Sequence, residues 1–194
     1  MKRLLLDTNI YGDMLLDKDL FILKDKHKEK KENVCYGFSV IRKELRATSK
    51  EKSLGRKNLR IALLCLYDEF VGEHNLDVDD SKLTNTALKY YGIYRQLGGN
   101  LSKSELLNDF VIVACASHKE MDLVASNDDA TMLSEISLKA YKLVNNAKNK
   151  TIPRFIGYNG FKSELRSCLS NKFIGSPDKL WVCLVFLNIL YELI

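Results

Sequence analysis

Arg3-Leu4-Leu5-Leu6-Asp7-Thr8-Asn9 decides how the rest of the chain is read. An unbroken apolar run that stops at a polar turn is the pattern of a strand buried on both faces, as in the middle of a parallel sheet. A second such run, Leu123-Val124-Ala125-Ser126, stops at Asn127-Asp128-Asp129. Val34–Phe38 is rich in strand formers, and Thr151-Ile152-Pro153 reads as the start of an edge strand. Between these lie segments with helical spacing. Ile10–Leu16 is a short one. Leu59–Val71 repeats at Leu63, Leu66, Tyr67 and Phe70, and Leu83–Leu97 repeats at Leu83, Ala87, Tyr91 and Tyr94. Ser39 stands where an N-cap belongs, before Val40–Leu45. Ser102-Lys103-Ser104-Glu105 has the capping-box form ahead of a helix over about 104–119. Met132–Leu143 reads as a further helix, and residues 17–33 as a charged connector. Strands alternating with helices predict an α/β sandwich around a mostly parallel sheet.

The chain has 194 residues, 46% hydrophobic and 28% charged, with two prolines and ten glycines. Such a length buries a sizeable core without staples and excludes collagen-like, repeat-rich and wholly disordered chains. Five cysteines at positions 35, 65, 115, 168 and 183 show no close pairing. An odd, scattered set is expected to be reduced and packed as small hydrophobes in a cytoplasmic protein. Three leucines before Asp7 are too few for the apolar core of a secretory leader. Net charge is +5 but unevenly spread: residues 18–60 carry a net +8 and residues 61–130 a net −7. Basic flanks around an acidic middle suit a polyanion approaching a carboxylate cluster, although Lys-rich runs are also ordinary solvated surface.

Both apolar strands end in a carboxylate, Asp7 and Asp128. Two more acids, Glu44 and Asp109, each lie five residues past a serine at a helix start. Ligands of open parallel sheets bind beyond the carboxyl ends of the strands, the edge where the following helices begin. The four acids are therefore placed to converge. Clustered carboxylates repel unless a cation or shared protons neutralise them, and all-oxygen ligands select Mg²⁺ or Mn²⁺. Taken singly, each acid has a plainer reading. Those in a helix's first turns complement its dipole by about 0.3–1 kcal/mol, and Asp7 could make an Asx turn.

Leu4-Leu5-Leu6-Asp7-Thr8-Asn9-Ile10 resembles the opening motif of PIN-domain proteins, including the VapC-type toxins. Ser39–Leu45, with Glu44, is similar to that family's second motif. Asn108–Ala116, led by Asp109, is similar to the third, and Leu123–Asp128 to the fourth. All four occur in family order over residues 1 to about 160. The resemblance implies a three-layer α/β/α fold and a Mg²⁺- or Mn²⁺-dependent endoribonuclease that hydrolyses RNA with a metal-activated water. Asp7, Glu44, Asp109 and Asp128 would be the catalytic and metal-holding set, with Asp129 a substitute in the fourth place. Thr8, Asn9 and Ser126 would support them. It further implies a cytoplasmic toxin that forms a homodimer and is restrained by a small antitoxin protein. Two alternatives remain open: a PIN nuclease of RNA processing or quality control without an antitoxin, and a non-catalytic PIN scaffold that binds RNA or protein.

Other features fall outside these motifs. His27, His74 and His118 lack ligand-like spacing, and Gly98-Gly99-Asn100 is a turn rather than a phosphate loop. Tyr90, Tyr91 and Tyr94 are of a type that stacks on bases, but their helical spacing favours core or dimer packing. Residues 161–194 form an apolar extension in which 13 of the last 15 positions are apolar. A bilayer span needs about 20 residues, so this tail is expected to pack on the domain or on a second subunit rather than to anchor in a membrane.

Overall fold

The computed structural model describes residues 1–29, 32–55 and 57–166. Strand β1 (Lys2–Leu6) is central. It is followed by helices α1 (Thr8–Leu16) and α2 (Leu20–Glu29), then strand β2 (Asn33–Tyr36). Helix α3 (Ser39–Ala47) precedes a small hairpin of β3 (Ser53–Leu54) and β4 (Lys57–Asn58), which turns at Gly55 with φ +60°. Helices α4 (Leu59–Val71), α5 (Asp80–Gln96) and α6 (Lys103–His118) lead to strand β5 (Leu123–Ala125). Helix α7 (Glu135–Ala147), strand β6 (Arg154–Ile156) and helix α8 (Tyr158–Arg166) complete the described chain.

The main sheet has the order β2-β1-β5-β6, and every pairing in it is parallel. Helices α5, α6 and α7 pack together in one layer, while α1 packs with α2, α3 and α4, and α8 with α2, in the other. The result is an α/β three-layer sandwich. Leu4, Leu5 and Leu6 are completely buried, as a strand covered on both faces requires. After β1 the chain goes first to β2 on one side. It then crosses to β5 on the other side and continues outward to β6. Strand order therefore reverses between β1 and β5, which opens a crevice at their carboxyl ends.

Several elements depart from the sequence-based expectation. The connector at 17–33 contains α2, whose Leu23 is buried and whose Lys24 pairs with Glu69 of α4 at 2.5 Å. Ser39 is the first helical residue rather than the cap. The cap is Phe38, which makes no side-chain cap bond but buries its ring and offers its carbonyl to the Arg42 N–H at 3.1 Å. The helix expected from Met132 begins at Glu135, because Asp128 and Ser134 organise the preceding turns. The edge strand is Arg154–Ile156, just beyond Pro153, which lacks the N–H that a ladder needs. Helix α8 crosses residue 160 and buries Phe161 and Leu165. The rest of the expected extension, with Cys168 and Cys183, lies outside the described residues.

Cys35 and Cys115 are buried, and Cys65 is exposed. Tyr90 and Tyr94 lie in the core around Phe110. No helix among the described residues is long and apolar enough to cross a membrane.

Candidate functional site

Register carries β1 and β5 side by side from Leu4↔Leu123 to Leu6↔Ala125, so Asp7 and Ser126 emerge together at the crevice. Asp7 is only 3% exposed and caps α1. Its Oδ1 accepts from the Thr8 N–H at 2.7 Å and the Thr8 hydroxyl at 3.3 Å. Its Oδ2 accepts from the Asn9 amide at 2.7 Å and the Ser126 hydroxyl at 2.7 Å. Burial raises its pKa above the ordinary carboxylate value, against the donors from Ser126 and Thr8, and the nearby Asp128 charge adds to the rise.

The other acids reach the same crevice from other layers. Glu44 comes from the middle of α3, and its Oε1 accepts from the Asn108 amide of α6 at 2.7 Å. Burial raises its pKa and the Asp7 charge contributes, opposed by bonds from Asn108 and Thr8. Asp109 follows Asn108 on α6. Burial pushes its carboxyl up to about 7, with further repulsion from Asp7, Asp128 and Glu44 and an opposing bond from Thr131. These mutual repulsions join the four acids into one electrostatic cluster.

Asp128 closes the set from the loop after β5. Its N–H donates to Ser126 Oγ at 3.1 Å, and its Oδ1 accepts from the Ala130 and Thr131 N–H groups at 3.1 and 2.9 Å. Thr131 Oγ1 bonds to Asp128 Oδ2 at 2.6 Å and also to Asp109 Oδ2. One hydroxyl carries one hydrogen, so both contacts are satisfied when one of the two carboxyls holds a proton and donates back. The raised proton affinity of Asp109 suits it to that role. Asp129, the candidate substitute, is exposed, and its side chain enters none of these contacts.

Each of the seven candidate residues thus lies at this crevice: Asp7, Glu44, Asp109 and Asp128 with Thr8, Asn9 and Ser126. Three contributors were not anticipated. Asn108 holds Glu44, Thr131 stands between Asp109 and Asp128, and Asn127 ties the loop down. The Asn127 N–H donates to Asn9 Oδ1 at 3.1 Å, its side-chain amide to Asp13 at 2.6 Å, and its Oδ1 accepts from the Tyr158 N–H at 2.8 Å. The Asp128-x-x-Thr131 spacing, an Asx turn by type, was the signal available for Thr131. Among the described residues, no three His, Cys, Asp or Glu side chains are grouped closely enough to hold one ion as they stand.

No protein-family profile matches the sequence, and no curated protein matches it. Among solved structures, the chain is similar to the crystal structure of VapBC2 from Rickettsia felis bound to a DNA fragment from their promoter. The two are 14% identical, with a TM-score of 0.49, and the match covers 80% of this chain and 98% of that one.

Proposed function

We propose that the chain is a divalent-metal-dependent endoribonuclease of the PIN type, acting as the toxin of a toxin–antitoxin pair. The observation that supports it is the meeting of Asp7, Glu44, Asp109 and Asp128, from four separate segments, at the crevice where strand order reverses. Uncompensated, that concentration of carboxylates costs stability, and a cation relieves it. The donor set is all oxygen, which fits Mg²⁺ or Mn²⁺ and not a soft metal. Asp7, Glu44, Asp109 and Asp128 would hold the ion once their side chains draw closer than they stand here, Glu44 by leaving Asn108. A bound divalent ion supplies polarisation of a phosphate oxygen and a lowered pKa for water.

The chain's own residues do the positioning. Four donors fix Asp7 so that neither oxygen can swing. Ser126 holds Asp7 and receives the Asp128 N–H, which locks the two acidic strand ends to each other. Thr131 sets the Asp109–Asp128 spacing. RNA is the substrate and a small antitoxin the partner by the resemblance of the four motifs; the same resemblance gives a homodimer.

The test is cleavage of RNA by the purified chain with Mn²⁺ or Mg²⁺, beside its Asp7→Asn variant. Divalent-dependent cutting that Asp7→Asn removes is the expected result. Cutting that persists at the same rate in Asp7→Asn overturns the site. A chain that neither cuts RNA nor is stabilised by divalent ions overturns the enzyme reading in favour of a scaffold.

A further inference from the structure

On the face formed by α1, α2 and α4, a cleft of about 490 Å³ is walled by Leu15, Leu20, Leu54, Ile61, Ala62 and Leu66. Its lining is open to water: Ile61 is 61% exposed and Leu54 36%. Leu16 and Ile22, neighbours of the wall residues in sequence, are 71% and 50% exposed. Two of the exposed large hydrophobics among the described residues, Leu54 and Ile61, thus stand in the lining of the cleft itself. Exposed apolar surface gathered in this way marks an interaction site.

The end of the described chain lies beside this cleft. Arg166, the last residue of α8, donates to Asp19 at 2.5 Å, and Lys162 one turn earlier donates to Asp17 at 2.5 Å. The residue after Asp19 is Leu20, a wall of the cleft. The chain therefore leaves α8 at the rim. Beyond it run 28 more residues, and the last 15, Leu180–Ile194, include 13 apolar side chains with a single charge, Glu192. The intervening residues 167–179 can span about 40 Å when extended, at ~3.3 Å each.

We propose that the apolar C-terminal segment Leu180–Ile194 of this same chain covers the α1–α2–α4 cleft. A tethered segment meets its site at an effective concentration in the millimolar range. A second copy at micromolar concentration is outcompeted about a thousandfold by that arithmetic. The cleft's apolar walls match the composition of the segment, and Lys24, the one cation among the described residues that line it, is already paired with Glu69. The proposal does not depend on the nuclease reading, since the cleft contains none of the four acids.

The chain carries its own reporters. Cys65 lies in the cleft wall and is exposed, Cys183 lies in the segment, and Trp181 is the single tryptophan. A short bis-maleimide applied to the full-length chain is expected to join Cys65 to Cys183 within one molecule, as read by peptide mass mapping. Ile61→Asp and Leu54→Asp change exposed side chains, and circular dichroism checks that each variant folds. Both are expected to abolish that link and to shift Trp181 emission to the red. Mixing isotopically labelled with unlabelled chains identifies links between molecules. If Cys65 is joined mainly across two chains, a second copy occupies the cleft and the proposal fails. It also fails if Trp181 emission is the same in Ile61→Asp, or if Trp181 moves out of water only when anionic phospholipid vesicles are added.

Discussion

Thr131 is a single hydroxyl serving two carboxylates, and its removal separates holding from chemistry. Thr131→Val keeps the shape, so the fold should persist while Asp109 and Asp128 lose their common partner. A supporting partner of this kind is worth about 10–100-fold in metal affinity or activity. The expected result is a loss of that size in divalent affinity, read by calorimetric titration. Asp109→Asn acts in the opposite sense on stability. The Asp109 carboxyl is pushed up to about 7 by burial and by three neighbouring acids, so its charged form is disfavoured in the folded chain. Replacing it by the neutral amide should raise the metal-free melting temperature, by an amount worth at least about 1 kcal/mol, while RNA cleavage is lost. Melting curves with and without divalent ion check both halves. The four acids were legible because each sits at a strand end or in a helix that begins at the same sheet edge. Asn108 and Thr131 were not, since an amide beside an acid and a threonine in a turn carry no periodic signal. Their roles appear only when α3 meets α6 and the loop after β5 folds back.

At the scale of elements, the close approach of β2 to α4 rests on Gly37. A Cβ there would come within 2.5 Å of the Tyr67 hydroxyl and 2.6 Å of Val71 Cγ1. Gly37→Ala should destabilise the chain by about 1–3 kcal/mol, measured by urea unfolding. Helix α8 is fixed to the end of α1 by Asp17, which accepts from Lys162 at 2.5 Å and Tyr158 at 2.7 Å. The Lys162 bond, then the Asp19 N–H and Tyr158, hold the Asp17 carboxyl at about 2. A folded pKa below the ordinary value of 3.8 means stability that is present above about pH 4 and is lost as pH falls toward 2. Asp17→Asn should therefore cost stability at pH 6 and flatten the acid limb of the stability curve in that window. Helix α2 shows why composition misled. Its stretch reads as a charge run because only a narrow apolar set, including Leu20 and Leu23, turns inward, and contacts with α8 and α4 supply what periodicity did not display. The long amphipathic helices were plain by contrast, and Leu59–Val71 has the same ends in sequence and structure.

For the molecule as a whole, the reversal of strand order places β1 at the centre of everything. Leu5→Ala in that strand removes a fully buried side chain between two helical layers and should cost about 2–5 kcal/mol by denaturant unfolding. A divalent ion that binds only the folded chain should stabilise it by about 2.7 kcal/mol at a hundred times its Kd, visible as a rise in melting temperature that Asp7→Asn suppresses. The pairings of β1 also set a timetable. Residues 2–5 pair with 33–36, whereas residues 4–6 wait for 123–125, which in turn pair with 154–156. Asp7 therefore has no acidic companion from β5 until that late strand has left the ribosome. A nascent chain carries Asp7 apart from Asp128 until the later strand emerges, so the mutual repulsion of these carboxylates is met only once the sheet that confines them can close.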